Sequence, residues 1–140
     1  MTVTSILVAI DGGPQTQRIL SCTATIALAL GAAVHVLCVA NIPLMEGTDD
    51  PIFRTIEDQA QRVIHDAQDI LGASGLEAAG HVVDGSPAQI IASTAKEFNC
   101  GLIVIGHRYL SFWAHLLDPS VCVELLDVTT CPVLTVPDGH

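Results

Sequence analysis

A single doubly wound α/β domain is the fold this sequence predicts: one five-stranded parallel sheet with helices on both faces. Three observations carry that expectation. Short apolar runs alternate with segments of helical periodicity, in the order βαβαβαβαβ, over 140 residues. The runs are apolar almost throughout instead of alternating with polar residues, as befits strands covered on both faces. Half of the residues are apolar and 14% are charged, which excludes disorder and is enough to fill the core of one domain, residues 1–140.

Ser5-Ile6-Leu7-Val8-Ala9-Ile10-Asp11 reads as the first strand, and Gly12-Gly13 as the turn that follows. A helix is expected from Pro14 to Leu30, where Ile19, Cys22, Thr23, Ile26 and Leu30 recur at helical spacing, with Gly31 closing it. Val34–Val39 is the second strand and Asn41–Asp50 a loop. Asp50-Pro51 then starts the helix with the clearest stripe, Ile52, Ile56, Ala60, Val63, Ala67 and Ile70, ending near Gly72. His81–Asp84 is a short third strand. Ser86-Pro87-Ala88-Gln89 has the form of a capping box at the head of a third helix that runs to Phe98. Gly101–Ile105 is the fourth strand, Asp118–Asp127 the fourth helix, and Pro132–Val136 the fifth strand, ended by Pro137.

The net charge is -10, from five Lys+Arg against fifteen Asp+Glu. That argues against a nucleic-acid backbone or an anionic membrane as partner, since both require a basic patch. Met1–Ser5 lacks a basic leader and Ile6–Ile10 is too short for a signal core, so no secretory signal is expected. Ile19–Met45 carries no formal charge, but Gly31 divides it into a helix-like and a strand-like half, so it is not read as a membrane span. Cys22, Cys38, Cys100, Cys122 and Cys131 are odd in number and irregularly spaced. They read as small core residues of a cytoplasmic protein, not as a disulfide framework or a metal site.

In an open parallel sheet, ligands bind at the carboxyl ends of the strands where the chain's direction across the sheet reverses. Asp11-Gly12 and Gly106 lie at such ends. Four segments taken together, Ile6–Gly12, Asp84–Ala88, Leu102–Gly106 and Cys131–Val136, resemble the universal stress protein family along the whole chain. The resemblance implies the strand order 3-2-1-4-5 and a homodimer through the last strand, with Val133, Leu134, Thr135 and Val136 at the interface. An apolar edge strand gives that pairing a physical reason.

Nucleotide-binding members of that family carry Gly-x2-Gly-x9-Gly-Ser/Thr as a phosphate loop. Here Gly106 and Ser120 match the two ends, while Tyr109 and Pro119 replace the middle and third glycines. Proline removes an N–H donor, and tyrosine resists the positive φ open to glycine. Asp118 would cap the following helix with its own carboxylate and compete with a phosphate there.

On this reading ATP binding is weak or lost. If an adenine nucleotide, ATP or AMP, does bind, the resemblance implies Asp11, Val39, Ile105, Gly106, Ser120 and Val121 as its contacts. Asp11 has a second reading, as a cap on the turn it begins. Tyr109, Phe112 and Trp113 are three of the five Phe, Trp and Tyr residues. They are expected to fold over the former phosphate region, to form a partner surface for another protein, or to pack on the core. His107 and His115 flank this loop without further ligands for a metal. A phosphoacceptor receiver domain would share the strand layout, but Asp11 stands alone and the only lysine is Lys96. With no hydrolase elbow either, the chain reads as a regulatory binding protein and not an enzyme.

Overall fold

The computed structural model describes residues 2–40, 51–111, 116–118 and 120–137. The expected loop Asn41–Asp50, and Phe112, Trp113, His115 and Pro119, lie outside the described residues. Five strands form one parallel sheet: β1 (Ser5–Ala9), β2 (Ala33–Val39), β3 (Ala78–Val83), β4 (Leu102–Gly106) and, at the end of the chain, β7 (Val133–Val136). Their order across the sheet is β3-β2-β1-β4-β7. The helices are α1 (Thr16–Leu30), α2 (Pro51–Ala73), α3 (Pro87–Glu97) and α4 (Ser120–Val128). Between β4 and α4 stand two further strands, β5 (Tyr109–Ser111) and β6 (Leu116–Asp118), which pair antiparallel.

The near-continuous apolar composition of β1 and β4 follows from burial on both faces. Side chains alternate along a strand, so Ile6, Val8 and Ile10 enter one hydrophobic cluster with α1 and α2. Leu7 and Ala9 enter the other, with α3 and α4. Ile6, Leu7, Ile103 and Ile105 are fully buried. Each such side chain contributes about 1.5–3 kcal/mol relative to exposure.

The helices were expected in the right places, with differences that packing explains. On α1 the buried face is Ile19, Leu20, Thr23, Ala24 and Ala27, while Leu30 stands in solvent. The Thr23 hydroxyl is satisfied inside the core by donating to the Ile19 carbonyl at 2.9 Å. On α2 the stripe turns toward Ile56, Ala60, Ile64, Ala67 and Leu71, and Val63 and Ile70 flank it. The last residues of the stripe meet β3, which begins three residues earlier than the sequence suggests. Ala78-Ala79-Gly80 has little strand propensity of its own. It is held in register against Val34, His35 and Val36, and the Gln68 side-chain amide donates to the Ala78 carbonyl at 2.9 Å. At α3, Ser86 is the N-cap residue but makes no side-chain capping bond, so the expected capping box does not form; Pro87 does take the first turn.

Two corrections concern the stretch before α4. The helix begins at Ser120, and Asp118 belongs to strand β6, paired with Tyr109. Asp118 is therefore placed in a strand two residues before the helix, where the sequence predicts the helix start. The segment expected as a loop is a hairpin.

Candidate functional site

Because β2 and β3 lie on one side of β1 and β4 and β7 on the other, the chain reverses direction across the sheet between β1 and β4. The register Ala9↔Ile105 brings the residues that follow these strands together at the carboxyl edge. Asp11, Val39, Ile105 and Gly106 all lie there. Val39 and Ile105 are buried, and Asp11 is only 6% exposed.

Each position has a local cause. The Asp11 carboxylate accepts from the Gly13 N–H at 2.7 Å and from the Thr16 hydroxyl at 3.5 Å, which ties the β1–α1 turn to the first turn of α1. Gly106 is needed for close approach: a Cβ there would lie 2.8 Å from Ile19 Cδ1 and 3.3 Å from Gln15 Oε1, both of the α1 end. The His107 N–H donates to the Val136 carbonyl at 2.9 Å, so the backbone just past Gly106 stays in the sheet. The head of α4 is fastened over the same point by the Cys122 thiol, which donates to the Gly106 carbonyl at 3.1 Å. Val121, the second residue of α4, is buried and joins Val39 and Ile105 in the same cluster, while Ser120 is exposed at the helix start.

Of the alternatives the sequence leaves open for Tyr109, the structure takes packing on the core. Its backbone takes strand geometry. Its side chain is 3% exposed and packs in the cluster with Val39, Ile105 and Val121. The phenol reaches the ends of two other strands: it donates to the Ile10 carbonyl at 2.9 Å and accepts from the Val39 N–H at 3.2 Å. Tyr109 therefore packs with Val39, Ile105 and Val121, three of the positions that the resemblance implies as nucleotide contacts. The signal that could have suggested this was the replacement of a loop glycine by a ring able to fill an apolar pocket and carry one polar tip.

Two of the buried polar groups beside Asp11 are held neutral. Burial pushes the Tyr109 phenol well above its ordinary value, with the nearby Cys38 and Asp11 acting in the same direction and the Val39 N–H opposing. Burial, and then the Asp11 carboxylate, push the Cys38 thiol up to about 12. Both groups are protonated at neutral pH. Neither is primed as a nucleophile or base, and the arrangement is one for holding hydrogen bonds.

The remaining features lie elsewhere. His35 on β2 and His81 on β3 face each other through Nδ1 and Nε2 at 3.1 Å, and the Phe98 ring lies 4.5 Å from each. A groove of about 480 Å³ runs past Lys96, Cys100, Thr129 and Cys131, at the amino ends of β4 and β7, opposite the crevice. Among the described residues no three His, Cys, Asp or Glu side chains gather as a metal site, and no helix is long and apolar enough to cross a membrane.

Taken together, a five-stranded doubly wound sheet whose direction reverses between β1 and β4 defines an α/β protein of the open-sheet type. The chain belongs to the universal stress protein family, whose model matches residues 2–137. Universal stress protein YxiE of Bacillus subtilis (strain 168) is 27% identical over 142 residues, covering 93% of this chain and 96% of that one. A universal stress protein family member from Burkholderia pseudomallei is similar in structure at a TM-score of 0.79 and 26% identity, over 98% of both chains. The universal stress protein from Archaeoglobus fulgidus, solved in complex with dAMP, shares the fold at a TM-score of 0.73 and 23% identity, over 96% of this chain and 98% of that one.

Proposed function

We propose that this chain is a regulatory universal stress protein that acts by binding and not by chemistry, as a cytoplasmic homodimer joined through β7, and that its crevice holds ATP weakly or not at all. The observation that carries the proposal is the hairpin β5–β6. It occupies the stretch between Gly106 and Ser120 that in nucleotide-binding members is the glycine-rich phosphate loop. A phosphate loop works by leaving successive N–H groups free to converge on oxygens. An antiparallel ladder commits part of its N–H groups across the hairpin. Tyr109 and Pro119 also stand where two glycines would, and a net charge of -10 gives a triphosphate no long-range attraction.

A second reading has its own support. The similarly folded Archaeoglobus fulgidus protein was solved with dAMP, and Gly106 and Ser120 are retained at the two ends of the loop. On that reading the crevice takes an adenine nucleotide, with Asp11, Val39 and Ile105 about the nucleoside, and hydrolysis is slow or absent.

Dialysis of the purified protein followed by mass spectrometry for retained nucleotide, with titration of a fluorescent ATP analogue, separates the two. The expected outcome is no retained ATP and weak titration for the wild type, with a gain of at least about tenfold in Tyr109→Gly/Pro119→Gly as N–H donors and backbone freedom return. Tight retention of ATP by the wild type would overturn the first reading in favour of the second.

A further inference from the structure

We infer that Tyr109 is a tethered occupant of the crevice, an internal competitor that any ligand must displace, so that filling the crevice releases the β5–β6 hairpin. The inference deepens the proposed function and rests on its reading of the carboxyl-edge crevice as the binding site.

The argument begins with what the phenol satisfies. The Val39 N–H and the Ile10 carbonyl are backbone groups at the ends of β2 and β1, beyond the register in which β1 pairs with its neighbours. Buried groups of this kind require partners. They offer one donor and one acceptor side by side, the complement of a ligand edge that presents an acceptor next to a donor. A tyrosine hydroxyl supplies both functions from one atom. It comes from 70 and 99 residues away in sequence, on a strand outside the main sheet. The contact is thus not a by-product of local chain geometry. The ring body is buried with Val39, Ile105 and Val121.

The hairpin makes this occupancy consequential. Tyr109 is the first residue of β5 and pairs with Asp118, the last of β6. Two residues later α4 begins at Ser120. Withdrawing the phenol moves the strand that carries it and strains or breaks that pairing, next to the head of α4. A crevice without ligand is therefore held shut by the chain itself, and ligand affinity is reduced by the fraction of time the phenol is out. The same exchange links the crevice to the surface of the hairpin.

Tyr109 is the only tyrosine in the chain, so labelling tyrosine with ¹³C in the ring gives one NMR signal for the occupant. Adenosine, AMP and ATP serve as probes, adenosine because it lacks phosphates and is indifferent to the loop's lost donors. The expected result is that adenosine saturation moves the wild-type signal from a buried to a solvent-exposed environment. Tyr109→Phe, which keeps the ring but not its hydroxyl, binds adenosine about fivefold more tightly, and Tyr109→Gly more than about tenfold more tightly. Circular dichroism of each variant reports folding, and the conservative Tyr109→Phe keeps the test decisive if the glycine variant unfolds. Adenosine binding that leaves the tyrosine signal unmoved would refute the inference. So would variants that bind adenosine no more tightly than the wild type. Tight ATP binding by the wild type with a displaced tyrosine signal would instead support the tethered occupant while removing the reading of weak ATP binding.

Discussion

At the scale of single residues, Tyr109 and Cys38 make the crevice sensitive to alkali. Each has a folded-state pKa raised by burial, Cys38 from 9.0 to about 12 and Tyr109 well above 10.0. A group whose folded pKa is raised contributes stability that is complete below the unfolded value and is lost as pH rises through the folded one. The unfolding free energy from denaturant titration should therefore hold up to about pH 9, then fall by about 1.4 kcal/mol per pH unit for each group withheld from ionisation. Tyr109→Phe should remove its share of the slope above pH 10. At neutral pH the same variant should cost about 1–3 kcal/mol, because two buried backbone groups lose the hydroxyl. A flat profile from pH 9 to 12 would contradict the burial of both groups.

At the scale of elements, the His35–His81 pair ties the edge strand β3 to β2. The two rings meet nitrogen to nitrogen with Phe98 against both. The His35 pKa is lowered, first by burial and then by His81. For a base lowered below its ordinary 6.5, stability is present above that value and is lost as pH falls below it. Thermal midpoints should decline below about pH 6.5, and His35→Gln should flatten the decline. Hydrogen exchange should show the loss first in β3, which has a neighbour on one side only.

Much at this scale was legible in the sequence. The runs Ile6–Ile10 and Leu102–Ile105 announce central strands because both faces must be apolar, and the period of α2 needs only one stripe to be read. The start of β3 was not legible, since Ala78-Ala79-Gly80 becomes a strand only through β2 and Gln68. Nor was the β5–β6 hairpin: a three-residue strand has too few residues to show a period. Of the candidate site, its place in the fold was legible from the glycine that ends β4 and the acid that follows β1. The orientation of Tyr109 was not, because it depends on partners 70 and 99 residues distant.

At the scale of the whole molecule, β7 is the other edge of the sheet. Leu134 is 37% exposed on it, and Val123 and Leu126 of α4 are each more than 60% exposed. Val133 is half-buried and Thr135 exposed, whereas Val136 is already enclosed by the core, so at a dimer seam it would contribute backbone more than side chain. An exposed apolar edge of this kind favours pairing with a second copy. Light scattering at micromolar concentration should give twice the chain mass for the wild type, and Leu134→Asp should shift it toward the monomer with no loss of helical signal. A wild type that is monomeric throughout would remove β7 as the interface.

The groove at the amino ends of β4 and β7 has a practical value that follows from its position. Lys96, which lines it, carries the chain's only side-chain amine, and the whole length of the central strands separates it from Tyr109. A dye or surface linker coupled to that amine would hang from the far pole of the molecule and leave the carboxyl edge of the sheet unobstructed.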